Sequence, residues 1–282
     1  MDLWFTENHT NNVRFGVKIK QQLHSEKTEF QQIDVFETYE FGKMLTIDGI
    51  IMITEKDEFI YHEMIVHVPM AANPNIRKVL VVGGGDGGTV RELTRYKNIE
   101  TIDMVEIDKV VVDVSRKYIQ QTACMLDDNR VTLCYEDGVK FMGKKKNEYD
   151  LIIIDSTDPI GPGEGLFTES FYSDCYDALT ENGIMINQNE SPYYEKERRE
   201  LIRANKKIKK VFPMVKVYQF HMTTYPSGHW LFGFNSKGID PVFNNNIESW
   251  NQLDLKTKYY NTDLHRASFM LPNYVKEMID ND

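Results

Sequence analysis

Four acids stand at or just beyond the ends of short apolar runs: Asp86 in VLVVGGGDGG, Glu106 in MVEID, Asp137 in TLCYEDG and Asp155 in YDLIIID. The first lies inside a glycine cluster, with Gly83, Gly85 and Gly88 letting the chain turn tightly before TVREL. Such a turn at a helix N-terminus is normally a seat for a phosphate. A carboxylate at its centre repels one. The pattern therefore predicts a nucleoside without phosphates that carries a positive charge, of the S-adenosylmethionine type. Glu106 follows about 20 residues after the glycines, where an acid holds ribose hydroxyls. Asp137 is placed to accept a hydrogen bond from an adenine amino group, or to cap the helix that starts at VKFM.

Asp155 and Asp158 lie three residues apart in IIIDSTDPIGPGEG. Two carboxylates this close form a negative pocket suited to an amine or diamine. An alkylammonium ion with a pKa of about 10.4 must lose a proton before it can attack, and a positioned carboxylate can accept that proton. Turn and cap chemistry accounts for Asp158, because Asp-Pro and Gly-Pro are turn formers, but it does not account for Asp155 at the end of an apolar strand. The Gly/Pro-rich loop 156–167 has the length and composition of a lid. Tyr225 in TTYPSG, with Tyr61 and His62, could line the same pocket, since aromatic faces favour cations. For Tyr61 and His62 alone, ordinary core packing is the better reading.

The elements that must carry these residues are legible from periodicity. Residues 1–56 read as a small antiparallel β domain, with Asp48-Gly49 as a two-residue hairpin turn between KMLTI and IIMIT. Residues 57–282 read as a catalytic α/β domain. It opens with a helix over EFIYHEMIVHVPMAA that ends near Pro74. Strands are predicted at 78–82, 101–107, 130–135, 149–155, 183–188 and 216–222, with 229–234 an antiparallel partner. A helix is predicted at 195–212, a polar loop-rich stretch at 237–262 and a closing amphipathic element at 267–279. Nearly continuous apolar strands separated by helices imply a doubly wound, mainly parallel sheet.

Composition narrows the function. The 282 residues hold 33 Lys and Arg against 43 Asp and Glu, a net charge of −10. That argues against a phosphate-tracking surface and hence against nucleic acid as a partner. No basic n-region precedes an apolar core at MDLWFTENHTNN, so no signal peptide is expected, and no apolar run approaches the length of a membrane span. Cys124, Cys134 and Cys175 are scattered and never form C-x-x-C, as expected of reduced thiols in a cytoplasmic protein.

Taken together, VLVVGGGDGGTVRE, the EID of MVEID, IIIDSTDPIGP and TYPSG, in this order and spacing, resemble the spermidine synthase (putrescine aminopropyltransferase) family. The resemblance runs from Trp4 to the end of the chain. It implies a Rossmann-like, class I methyltransferase-type fold with a small N-terminal β domain. It also implies decarboxylated S-adenosylmethionine as aminopropyl donor and putrescine as acceptor, with no cofactor or metal beyond the co-substrate. By position, Gln31, Gly83, Gly85, Glu106, Asp137, Gly138 and Pro162 would meet the donor's adenosine moiety. Asp86 would bind its ammonium, and Asp155 would be the catalytic acid–base residue. Tyr61, His62, Asp158 and Tyr225 would line the polyamine channel, and Trp4 would close its far end. The resemblance further implies a homodimer or homotetramer. His62 stands where the family commonly carries His or Gln, and Asp158 where some bacterial relatives carry Glu. Cadaverine or a triamine therefore stays open as acceptor. Two rivals are a diamine N-methyltransferase using S-adenosylmethionine, against which Asp86 and TYPSG argue, and a non-enzymatic sensor, against which Asp155 and Asp158 argue.

Overall fold

The structure, a computed structural model, describes residues 2–156, 161–244 and 246–280, without the side chains of 161 and 162. The N-terminal strands are β1 (Leu3–Asn8), β2 (Arg14–Lys27), β3 (Gln32–Thr38), β4 (Lys43–Ile47) and β5 (Ile50–Thr54). They form one antiparallel sheet in chain order. Asp48 and Gly49 both take positive φ (49° and 79°), and Ile47 faces Ile50 across the turn. This is the geometry that Asp-Gly favours in a two-residue hairpin.

The second unit begins with α1 (Glu58–Ala72), followed by β6 (Lys78–Gly83), α2 (Gly88–Thr94), β7 (Thr101–Val105), α3 (Lys109–Tyr118) and α4 (Gln120–Ala123). Then come β8 (Val131–Cys134), α5 (Gly138–Met142), β9 (Tyr149–Asp155), α6 (Glu169–Ala178), β10 (Leu179–Gln188) and α7 (Glu195–Ile208). The chain closes with β11 (Met214–His221), β12 (His229–Ser236), α8 (Asn246–Ser249), α9 (Thr262–Ser268) and α10 (Asn273–Asp280). The strands from β6 onward lie in the order β11-β12-β10-β9-β6-β7-β8. Pairings among β6 to β10 are parallel, while β12 is antiparallel to both β10 and β11.

The parallel strands are largely apolar because helices cover both faces. On one face, Val79, Val81, Ile153 and Ile186 pack with Met64, Ile65 and Val68 of α1. On the other, Leu80, Val82, Ile152 and Ile154 pack with Phe171 and Tyr172 of α6. The N-terminal sheet is docked by Ile33, Val35, Leu45 and Ile53, which share a cluster with Val111 and Val114 of α3. That contact lays the first sheet over one end of the second.

The largest departures from the periodicity are at β10, α7 and the closing element. β10 starts at Leu179, because Leu179 pairs with Tyr149 before a register irregularity ahead of Ile184. The helix predicted to 212 ends at Ile208. The closing element is two helices, α9 and α10, with Pro272 between them. Among the described residues, no helix is long and apolar enough to cross a membrane.

Candidate active site

Strand order turns back between β6 and β9: β7 and β8 lie on one side, β10 on the other. Ligands bind at such a switch point, beyond the carboxyl ends of the strands. Gly83 pairs with Asp155 there. The N–H of Gly84 donates to the Asp155 carbonyl at 2.8 Å. Gly83 has φ 85°, and a Cβ on it would lie 2.1 Å from that carbonyl oxygen. Only glycine permits this approach, which brings the glycine turn and the Asp155 carboxylate to one place.

The Asp155 carboxylate is held from both sides. Its Oδ1 accepts from the Tyr61 hydroxyl at 2.8 Å, and its Oδ2 accepts from the Thr89 hydroxyl at 2.6 Å. Burial and the nearby Asp86 charge push its pKa above the usual carboxylate range, against the pull of His62 and the two hydroxyls. Burial also drives the Tyr61 phenol well above its ordinary value, with the Asp155 charge adding to it, so Tyr61 stays a donor.

Asp86 sits across the glycine turn. Its Oδ1 accepts from the Gly88 N–H at 2.8 Å and faces His62 Nε2 at 3.2 Å. His62 Nδ1 lies 2.6 Å from Glu58 Oε2, one helical turn back along α1. Burial alone would push the imidazole down, but the Asp86 and Glu58 carboxylates outweigh it and hold the pKa up at about 10. Arg91 grips Glu58 through two guanidinium nitrogens, at 2.8 and 3.0 Å. Both ring nitrogens of His62 therefore face carboxylates, and the ring is fully buried. His62 lines the cleft, and its ring also faces Asp86 and holds that carboxylate in place. Gly88 makes room for it, since a Cβ there would fall 2.2 Å from the imidazole.

On the β7–β8 side, Glu106 Oε1 accepts from the Asp108 N–H at 3.0 Å. Burial raises its pKa to about 7; the Asp108 N–H opposes this and the Asp108 charge adds to it. Gly85 leaves space beside it, because a Cβ would lie 2.9 Å from Glu106 Oε2. Gln31 arrives from the N-terminal sheet and donates to Asp108 Oδ2 at 3.1 Å, joined there by the Thr28 hydroxyl at 2.8 Å. Asp137 caps α5, accepting from the Val139 N–H at 2.9 Å and the Lys140 N–H at 3.4 Å. It borders the cleft as well. Gly138 packs against Val82, where a Cβ would lie 2.6 Å from Cγ1.

These residues enclose one cavity of about 720 Å³. Gln31, Glu106, Asp137 and Gly138 line it on the β7–β8 side, Asp86, Asp155 and Tyr61 at the centre, and Tyr225 and Trp230 toward β12. The Tyr225 hydroxyl donates to the Met52 carbonyl at 2.6 Å, and its ring meets Trp230 edge-on at 4.9 Å. Asp158 lies outside the described residues, as does the side chain of Pro162. Trp4 does not reach the cleft: it is 60% exposed on β1 and its ring lies over Gly16. The far end is lined instead by Glu7, His9, Glu197 and Glu200. Sequence reasoning missed Thr89, Glu58, Arg91, Asp108 and this far-end group. The i,i+4 spacing of Glu58 and His62 was a usable signal; the others come together only through tertiary contacts. Among the described residues, no group of three or more His, Cys, Asp or Glu is arranged to hold a metal ion.

Comparison with known proteins bears on the same cleft. Residues 58–246 match the spermine/spermidine synthase domain model, and residues 3–55 match the spermidine synthase tetramerisation domain model. The chain is 66% identical over 281 residues to a polyamine aminopropyltransferase of Clostridium perfringens (strain SM101 / Type A), covering 100% of this chain and 99% of that protein. It is 62% identical over 283 residues to that of Clostridioides difficile (strain 630), covering 100% of both. A crystal structure of spermidine synthase in complex with the transition-state analogue AdoDATO superposes with a TM-score of 0.96 at 46% identity, over 99% of this chain and 96% of that one. The spermidine synthase of Thermotoga maritima gives 0.95 at 45% identity, over 99% and 95%. With acids gathered around an adenosine-sized cleft and similarity along its full length, the chain belongs to the spermine/spermidine synthase family of aminopropyltransferases.

Proposed function

We propose that the cleft transfers the aminopropyl group of decarboxylated S-adenosylmethionine to putrescine, giving spermidine and 5'-methylthioadenosine. The observation that carries this reading is the placement of Asp86 and Asp155 on either side of one glycine turn, with Glu106 beyond them. Glu106 takes the ribose hydroxyls, Asp137 and Gly138 meet the adenine with Gln31 and Pro162 nearby, and Asp86 takes the donor's ammonium. S-adenosylmethionine itself carries a carboxylate on the carbon bearing that ammonium. A second negative charge beside Asp86 is costly in a shielded site, which favours the decarboxylated donor.

Putrescine enters as a dication between Tyr61, Tyr225 and the acids, with Asp158 keeping the acceptor-binding role given it by sequence. One nitrogen loses its proton to Asp155 and attacks the propyl carbon next to sulfur. The nitrogen–carbon bond forms as the carbon–sulfur bond breaks, and the bonding pair leaves with sulfur. The sulfonium becomes a neutral thioether, so the donor supplies its own leaving group and the step needs no cofactor. Positioning and fixed charges carry most of the rate. The raised pKa of Asp155 suits this work, because a base is most effective when its pKa approaches the working pH. We also propose a homo-oligomer, dimer or tetramer, from the tetramerisation-domain match, and a cytoplasmic setting from the three free cysteines.

The test is to incubate the pure protein with putrescine or cadaverine and each donor, and to identify products by mass spectrometry. Spermidine from putrescine and the decarboxylated donor supports the reading. A preference for cadaverine moves the acceptor, and methylputrescine overturns the chemistry. Asp155→Asn should bind donor as the wild type does while turnover falls about a hundredfold or more. Near-normal turnover would remove Asp155 from its role.

A further inference from the structure

The far end of the cleft holds a cation that belongs to the protein. His9 follows β1, and its Nε2 lies 2.8 Å from Glu197 Oε1 of α7, while Nδ1 lies 3.4 Å from Glu7 Oε1. A carboxylate faces each ring nitrogen. Two carboxylates at ion-pair distance favour the imidazolium form of the ring. The pair is shielded: Glu7 is 2% exposed and the His9 side chain 9%. Glu7 is further fixed by the Ile51 N–H at 2.9 Å, and the His9 ring meets Tyr194 edge-on at 4.3 Å. Burial lowers the imidazole, but Glu197 and Glu7 more than reverse this and raise its pKa to about 9. The charge is therefore present at neutral pH.

Its place in the fold matters. α7 follows β10, on the opposite side of the switch point from Glu106 and Asp137. Asp155 lies between. Asp155 and His9 line the same cavity, which gives a diamine held at Asp155 a path toward His9. A triamine reaches further and brings another ammonium to this end. Without His9, the acids here would form a site for that ammonium. With His9 in place, its single positive charge engages both carboxylates, offsets one of the two and repels the newcomer, so this end is a weaker seat for a further ammonium.

Resting on the aminopropyl-transfer reading above, we propose that His9 is a specificity-determining residue that restricts the acceptor to a diamine. The product is itself a triamine, so the same residue keeps the enzyme from extending its own product. Extension would use the same chemistry: an amine nitrogen of the triamine bonds to the propyl carbon, the carbon–sulfur pair leaves with sulfur, and the nitrogen's proton passes to Asp155.

The experiment compares the full-length wild type with His9→Gln, which removes the charge, and His9→Lys, which keeps one. The readout is kcat/KM with spermidine divided by kcat/KM with putrescine, using decarboxylated S-adenosylmethionine and mass spectrometry for the tetraamine. This ratio should rise by about tenfold or more in His9→Gln, the size expected when a like charge leaves a shielded site, and stay near the wild-type value in His9→Lys. An unmoved ratio in folded His9→Gln overturns the proposal. So does an equal rise in both variants, which would make shape rather than charge decisive. His9→Asn stands in if His9→Gln does not fold. Failure of the wild type to use putrescine would instead defeat the underlying reaction.

Discussion

Tyr61→Phe isolates one hydrogen bond to the proposed base. The ring stays in place, edge-on to Phe232 at 4.9 Å and Phe220 at 5.9 Å, so packing is conserved. What is lost is the 2.8 Å donation to Asp155 Oδ1; the 2.6 Å donation from Thr89 to Oδ2 remains. A hydrogen bond to an ionised acceptor contributes about 1.5–3 kcal/mol. One pKa unit corresponds to about 1.4 kcal/mol, so full loss would raise the Asp155 pKa by about one to two units. The carboxylate opens onto the cleft, where water replaces part of the lost bond, which leaves about one unit. The sign follows from the role. Asp155 acts as a base only when deprotonated, so raising its pKa moves the acid limb of the rate profile to higher pH. Below that limb kcat/KM falls about tenfold, and above it the loss is recovered. The assay is kcat/KM against pH for both enzymes at saturating donor. The titration of putrescine is common to both and cancels. A uniform drop at all pH values, with the limb unmoved, would refute the reasoning and leave Tyr61 as channel wall only. In an Asp155→Asn background the change should be nearly silent, because no ionised base remains to be stabilised.

Asp86→Asn should narrow the preference for decarboxylated over ordinary S-adenosylmethionine by about tenfold or more, measured as the ratio of their dissociation constants. An unchanged ratio would place donor selection elsewhere. Gly88→Ala drives a Cβ to 2.2 Å from the buried His62 ring. It should cost about 1–3 kcal/mol by overpacking and weaken donor binding as Asp86 loses its partner, read by thermal melting and by titration. A melting temperature and donor affinity like those of the wild type would show that His62 can move freely.

Much of this protein was legible in its sequence for a definable reason. Strand and turn signals are local: Asp48-Gly49 fixes a hairpin by its own φ preference, and apolar runs such as KVLVV and YDLIIID dictate buried parallel strands. Parallel strands covered by helices place their carboxyl ends on one edge, so acids at the ends of those runs had to converge. That is why Asp86, Glu106, Asp137 and Asp155 are legible from sequence as residues of the cleft edge. Partnerships across distant segments were not legible. Trp4 was expected at the cleft, but alternation along β1 turns Glu7 inward and leaves Trp4 exposed. His62 reaches the cleft as the resemblance implied, but only the fold shows that Glu58 and Asp86 face both its nitrogens. Residue type and local spacing determine which groups reach the cleft edge. Which charge neutralises which, and hence which carboxylate stays available to a substrate amine, depends on contacts between residues as far apart as His9 and Glu197, and only the packed structure decides it.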